Sequence, residues 1–287
     1  MKRYTLVGLL FLLFSSSITA QSFEIGPQIG GMIYTGDLDP QTFTEQFKNL
    51  EFAYGAHLKY NLNEYFAIRA NFSKGNISGR DSLSNADWQK RRNLSFESGI
   101  TEFSLMIENN LFGFDISPGS DKVFTLHAFA GIAVYKFNPK ALYNGQYIDL
   151  QPLGTEGQGI PGYDEKYSLT QLAVPLGAGL KFKLTNRISI GMEMSGGFLF
   201  TDYLDDVSGT YVAYEELQAG NGVLAANLAR REGEFTGVDV PYTQATGDIR
   251  GKSAVNDYYL SGMVTFSYHF DGAGIFSDRN KIGCPTF

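Results

Sequence analysis

A chain of 287 residues is long enough for one large domain or two small ones, and its formal net charge of −7 makes it a poor partner for nucleic acid. The single cysteine, Cys284, excludes an intrachain disulfide, and with only three scattered histidines the chain offers no set of zinc ligands. No internal stretch approaches the roughly 18 apolar residues that a membrane-spanning helix needs.

The first predicted element is a leader. Lys2 and Arg3 precede an apolar run from Leu6 to Phe14, and small residues from Ser15 to Ala20 follow. This is the pattern of a cleaved secretory signal peptide over residues 1–20. Its loss leaves a mature chain near −9, since the leader carries two positive charges and no acid.

Eight amphipathic segments come next. Phe23–Tyr34 alternates weakly. In Phe52–Leu62 the even positions Phe52, Tyr54, Leu58 and Tyr60 are apolar, with His57, Lys59 and Asn61 between them. Phe66–Phe72 keeps the same parity. In Glu102–Asn110, Phe103, Leu105 and Ile107 alternate with Glu102, Ser104 and Glu108. Phe124–Val134, Gln171–Leu184, Ile188–Phe200 and Tyr258–Phe270 complete the set. A strand sends successive side chains to opposite faces, so each segment has one apolar and one polar face. Segments of roughly ten residues with this alternation are the signature of a transmembrane β-barrel. The predicted fold is all-β: an antiparallel eight-stranded transmembrane β-barrel over residues 21–270 with long extracellular loops.

The connections sort into two classes. Asn61–Tyr65, Phe112–Lys122 and Thr185–Arg187 are short or moderate and carry turn residues. Thr35–Leu50, Gly79–Ser95, Asn138–Lys166 and Leu204–Val255 are longer and polar, with helical turns expected at Tyr214–Leu217 and Val223–Arg231. Outer-membrane barrels pair short periplasmic turns with long outer loops. The chain is therefore expected in the cell outer membrane, in contact with its lipid, with both termini and the tail 271–287 in the periplasm.

An eight-stranded barrel has an interior just wide enough for side chains. The inward candidates are Glu24, Gln28, His57, Lys59, Arg69, Asn71, Glu102, Glu108, His127, Lys181, Lys183 and Glu193. Charges of both signs at this density are expected to pair into a polar plug, the competing reading being a pore or proton path. All three histidines fall in strands and none in a long loop, which argues against lipid acyl transfer at an outer rim; no enzyme activity and no cofactor is expected. Asp202, Asp205 and Asp206 form the densest acidic cluster. It is expected to be a solvated strand end rather than a calcium site. Gly154, Gly157, Gly159 and Gly162 are expected as turn-formers, since no Gly-Lys-Ser/Thr follows them.

Several runs carry a resemblance. Phe137-Asn138-Pro139-Lys140-Ala141, the stretch from Ile148 to Gly159, Leu169–Pro175, Thr201–Tyr211 and Asp278–Pro285 are similar to PorG-type outer-membrane barrel proteins of the type IX secretion system. The resemblance implies a structural role: anchoring periplasmic ring proteins of the secretion machine to the outer membrane. The alternative is a barrel of the adhesion or small-solute type, working through its loops or lumen. A lone cysteine in an exported chain points to an intermolecular bond or a free thiol. Cys284, in the tail beyond the last strand, is expected to form a disulfide to a ring protein in the oxidising periplasm.

Overall fold

The computed structural model describes residues 22–39, 43–237, 245–254 and 256–271. The leader, the tail beyond residue 271 and Cys284 lie outside the described residues.

Among the described residues ten strands form in chain order: β1 (Ser22–Thr35), β2 (Glu51–Asn61), β3 (Phe66–Arg80), β4 (Ser95–Asn110), β5 (Phe124–Lys136), β6 (Pro139–Tyr143), β7 (Gln146–Asp149), β8 (Thr170–Lys183), β9 (Ile188–Leu199) and β10 (Tyr258–Asp271). Eight of them make the wall, every neighbour antiparallel, in the order β1-β2-β3-β4-β5-β8-β9-β10, and β10 returns to β1. Closure leaves no strand edge, so the backbone polar groups of the wall find partners within it. The register fixes the shape. A circuit starting at Ser22 passes through Asn61, Ala67, Glu108, Phe129, Gly177, Ser195 and Ser261, and returns to β1 at Met32. The sheet is thus offset by ten residues in one turn, and the strands tilt accordingly.

The outward face explains why this sheet closes with an apolar exterior. Met194 is 72% exposed, Ile132 67%, Ile107 64% and Phe103 63%. Aromatic residues mark the turn-end edge, where Phe124 meets Phe182 at 4.8 Å and Tyr268 meets Phe270 at 4.8 Å. An apolar band with aromatic borders is the lipid-facing surface of a transmembrane barrel. The predicted parity therefore holds through all eight wall strands.

Toward the long-connection end the same parity carries the opposite polarity. The inward positions become apolar: Met32, Tyr34, Ile77, Phe96, Ile100, Tyr135 and Tyr259 are buried there. The outward positions Lys74, Asn76 and Lys136 are exposed. The strands outrun the lipid band, and beyond it the wall behaves like that of a water-soluble protein.

Structure continues past the wall. β6 extends the β4 ladder through Glu97–Lys140, and β6 pairs with β7 across Asn144-Gly145, both at positive φ. That two-residue turn is the type I′ geometry Asn-Gly favours. The last long connection folds into three short helices, α3 (Tyr214–Asn221), α4 (Val223–Ala229) and α5 (Glu232–Thr236), while α1 (Phe43–Gln46) and α2 (Asp87–Arg92) lie in the first two. The helical turns expected at Tyr214–Leu217 and Val223–Arg231 are present as α3 and α4. The expectation of plain polar loops is corrected: Leu38, Leu94, Leu150, Leu204, Val207 and Leu228 pack with the upper barrel residues into one core. Gly154, Gly157, Gly159 and Gly162 all adopt positive φ, as expected of turn-formers.

Candidate functional site: a sealed lumen and its outer cap

The turn-end half of the lumen holds a single ionic network to which each wall strand contributes one residue: Glu24 (β1), Lys59 (β2), Arg69 (β3), Glu108 (β4), His127 (β5), Lys181 (β8), Glu193 (β9) and His269 (β10). Glu108 lies at its centre, taking Lys59 at 2.8 Å and Lys181 at 2.7 Å on separate oxygens. Arg69 meets Glu193 at 2.7 Å, and His127 Nε2 lies 3.2 Å from the same carboxylate. Lys181 also approaches Glu24 at 3.8 Å, and His269 Nδ1 stands 3.5 Å from Glu24. Three carboxylates face three permanent cations, so the network is balanced without help from outside. All of these side chains are buried. Paired ions with additional hydrogen bonds are the form in which charge survives in so narrow a space.

The sequence-predicted interior is thus largely brought together, with two corrections. Glu102 faces inward but stands apart from the network and meets no cation; the Tyr259 hydroxyl donates to it instead. Lys183 is at the turn-end rim, where its ammonium donates to the Ser117 carbonyl at 2.9 Å. Gln28 and Asn71 accept from Arg69, and His57 pairs with Ser267 at 2.9 Å.

Two arrangements invite a chemical reading. Ligand atoms of Glu108, His127 and Glu193 lie within 4.8 Å of one another, the spacing of a metal site. Lys59, Lys181 and Arg69 already occupy both carboxylates, so the donor set does not suit a resident cation. Ser189 pairs with His269 Nε2 at 2.7 Å, and His269 faces Glu24, in the order nucleophile, base and acid. All three are buried, and the Phe114 ring lies 6.1 Å from the imidazole.

Phe114 is part of the seal. It comes from the β4–β5 connection, with Ile116 beside it, and Lys181 lies 5.0 Å from its ring centre. Between the ionic layer and the apolar layer remains a cavity of about 30 Å³, lined by Arg69, Glu102, Ser104, Pro175 and Tyr259 among others. That is room for one or two waters, not for a solute path.

At the loop end the cap is held by buried charge. Arg92 grips Asp81 with two bonds of 2.7 Å and also donates to the carbonyls of Asp37 and Arg250. Arg250 meets Glu156 at 2.7 Å and the Asp206 carbonyl at 2.7 Å, while Glu156 accepts from the amides of Ser208 and Gly209 at 3.0 Å each. The expected solvated cluster is corrected here, because Asp202, Asp205 and Asp206 are all buried. Tyr167 donates to Asp206 at 2.7 Å. The Tyr34 hydroxyl lies 2.6 Å from Asp205 and 3.0 Å from Asp257. Burial pushes the Asp205 and Asp257 carboxyls well above their usual range, Asp206 up to about 6 and Asp202 up to about 7. Sequence reasoning missed this cap because its acids read as loop polarity.

Wall, lumen and cap define a class: a closed eight-stranded transmembrane barrel with a filled interior. The chain belongs to the family described as Domain of unknown function (DUF6089), whose profile matches residues 3–249. No curated protein matches it in sequence. Among solved structures it is similar to Ail, the attachment invasion locus protein of Yersinia pestis, at 9% identity, covering 88% of this chain and 99% of Ail, with a TM-score of 0.39. The outer membrane protein OprG of Pseudomonas aeruginosa gives 10% identity, 88% and 97% coverage and a TM-score of 0.38. A major outer membrane protein of Thermus thermophilus gives 12%, 88% and 100%, and 0.38. The fold assignment rests on the closed strand order and register, not on these similarities.

Proposed function

We propose that the protein is an outer-membrane barrel, with its turn end and both termini in the periplasm, that serves as a non-enzymatic scaffold for other proteins. The observation that carries this reading is the filled lumen: among the described residues a balanced ionic layer, an apolar layer above it and Phe114 at the rim occupy the interior. What remains for function is the surface at each end. In its specific form the reading follows the resemblance of the loop motifs: a structural component of a type IX secretion apparatus, anchoring periplasmic ring proteins, with Cys284 as a disulfide link to one of them.

The second reading, adhesion through the outer loops, is favoured by apolar side chains on the cap. Trp88, Phe235 and Ile249 are all more than half exposed there. Crosslinking in whole cells followed by purification separates the two. Recovery of periplasmic proteins, with a reducible adduct absent from Cys284→Ser, supports the scaffold. Recovery of outer-surface ligands alone supports adhesion.

A further inference from the structure

The outer border of the lipid-facing wall carries a polar rung that neither the lumen nor the cap uses. One rung of the sheet crosses four strands through Tyr54, Lys74, Thr101 and Lys136, all pointing outward. The outward rung toward the turn end is apolar, running through Ala56, Phe72, Phe103 and Val134. On the other side Asn76 pairs with Gly99. Lys74 and Lys136 therefore flank Thr101 at the outer border of the lipid band, where a tyrosine also sits at the interfacial level.

Both lysines are unpaired. Among the described residues neither takes part in an ion pair, whereas Lys140 nearby is held by Asp149 at 3.0 Å and Lys122 at the opposite rim by Glu64 at 2.5 Å. No acid stands on their rung across these four strands, nor on the next outward-facing rung to either side; Glu102, one position away, faces the lumen. Two strand spacings put their backbones about 10 Å apart. Because the circuit gains ten residues toward the loop end, the rung climbs from β2 to β5 and Lys136 stands higher than Lys74. Long flexible stems let one ammonium approach a headgroup from below and the other from above, with the Thr101 hydroxyl between them.

We propose that Lys74, Thr101 and Lys136 bind the phosphate group of a lipid in the outer leaflet, with its acyl chains against Phe72, Phe103 and Val134. Two cations and a hydroxyl match a phosphate, and the apolar rung directly beneath selects a lipid over a free anion. This rests on the membrane placement proposed above.

Native mass spectrometry of the full chain in mild detergent tests it, with lipid A, phosphatidylglycerol and uncharged diacylglycerol as probes and inorganic phosphate as competitor. The wild type is expected to retain a phosphate-bearing lipid over diacylglycerol. Lys74→Gln and Lys136→Gln should each weaken retention about fivefold, and the double variant about twenty-fivefold. Lys140→Gln should leave it unchanged. Equal retention by the double variant and the wild type overturns the site, as does an equal loss in Lys140→Gln. Displacement by millimolar inorganic phosphate overturns the lipid and assigns a soluble anion instead. Heat-modifiable gel mobility reports the barrel separately. A wild type that lacks it sinks the membrane placement, whereas folded variants with unchanged lipid binding sink the site alone.

Discussion

Lys59 and Glu108 meet at 2.8 Å with side chains 1% and 0% exposed, and Lys181 takes the other oxygen of the same carboxylate at 2.7 Å. One carboxylate thus holds two ammonium groups in a space with little room for water, so its loss leaves both poorly compensated. Glu108→Gln is expected to destabilise the barrel by about 3–5 kcal/mol, the range for stranding a buried charge. Glu102→Gln, whose partner is the Tyr259 hydroxyl, should cost about 1–2 kcal/mol. Urea midpoints in detergent measure both. Equal effects would show that the network is not the element holding the lower lumen.

The exposed band predicts a depth-dependent penalty. Ile107→Arg, in the middle of the band, should cost about 2–4 kcal/mol, and Asn76→Arg, beyond its outer edge, about 0–1 kcal/mol. The fraction of heat-modifiable protein after refolding into lipid vesicles distinguishes them. Similar yields would place the membrane elsewhere on the wall.

The cap should loosen without the barrel. Arg92 spans Asp81, Asp37 and Arg250, and only a guanidinium can hold a carboxylate with two parallel bonds while reaching two carbonyls. Arg92→Lys is expected to accelerate hydrogen exchange in α2 and in 245–254 and to leave the strands below unchanged. Slowed or unaltered exchange in those segments would remove Arg92 from this role.

Acidity should tighten the cap. Asp206 and Asp202 have carboxyls raised to about 6 and about 7, above an unfolded value near 3.9, and burial also raises Asp205 and Asp257 well above it. A raised carboxyl contributes stability that is complete below its unfolded pKa and is lost as pH rises through the folded one. Between about pH 4 and pH 7 the cap should therefore become easier to open, and limited proteolysis of the outer loops should quicken. Asp202→Asn should flatten that rise. A cap that becomes more resistant as pH increases would contradict the assignment.

The wall was legible in the sequence because strand parity survives any change in the surroundings. Phe103, Leu105 and Ile107 against Glu102 and Glu108 needed only the period of two. The apolar upper layer was harder to read. Phe96 and Ile100 keep the parity of Glu102 while inverting its polarity, so they read as a break in the pattern rather than its continuation. The β6–β7 hairpin did have a signal, Asn144-Gly145 between Leu142-Tyr143 and Gln146-Tyr147, which a search for ten-residue strands passes over. The buried acids had none. Asp205 and Asp206 look like any loop aspartates until Tyr34, Tyr167 and Arg250 arrive from distant parts of the chain.

The ionic network also bears on how the barrel is made. It takes one member from every wall strand, so no hairpin or partial sheet contains the whole set. A growing sheet with seven strands has at least one charge or imidazole still lacking its partner, and water must keep access to the lumen until the last strand arrives. Sealing and closure therefore coincide: the interior becomes dry only when the circle is complete. The last contacts of the network, those of the eighth strand, form as the wall closes.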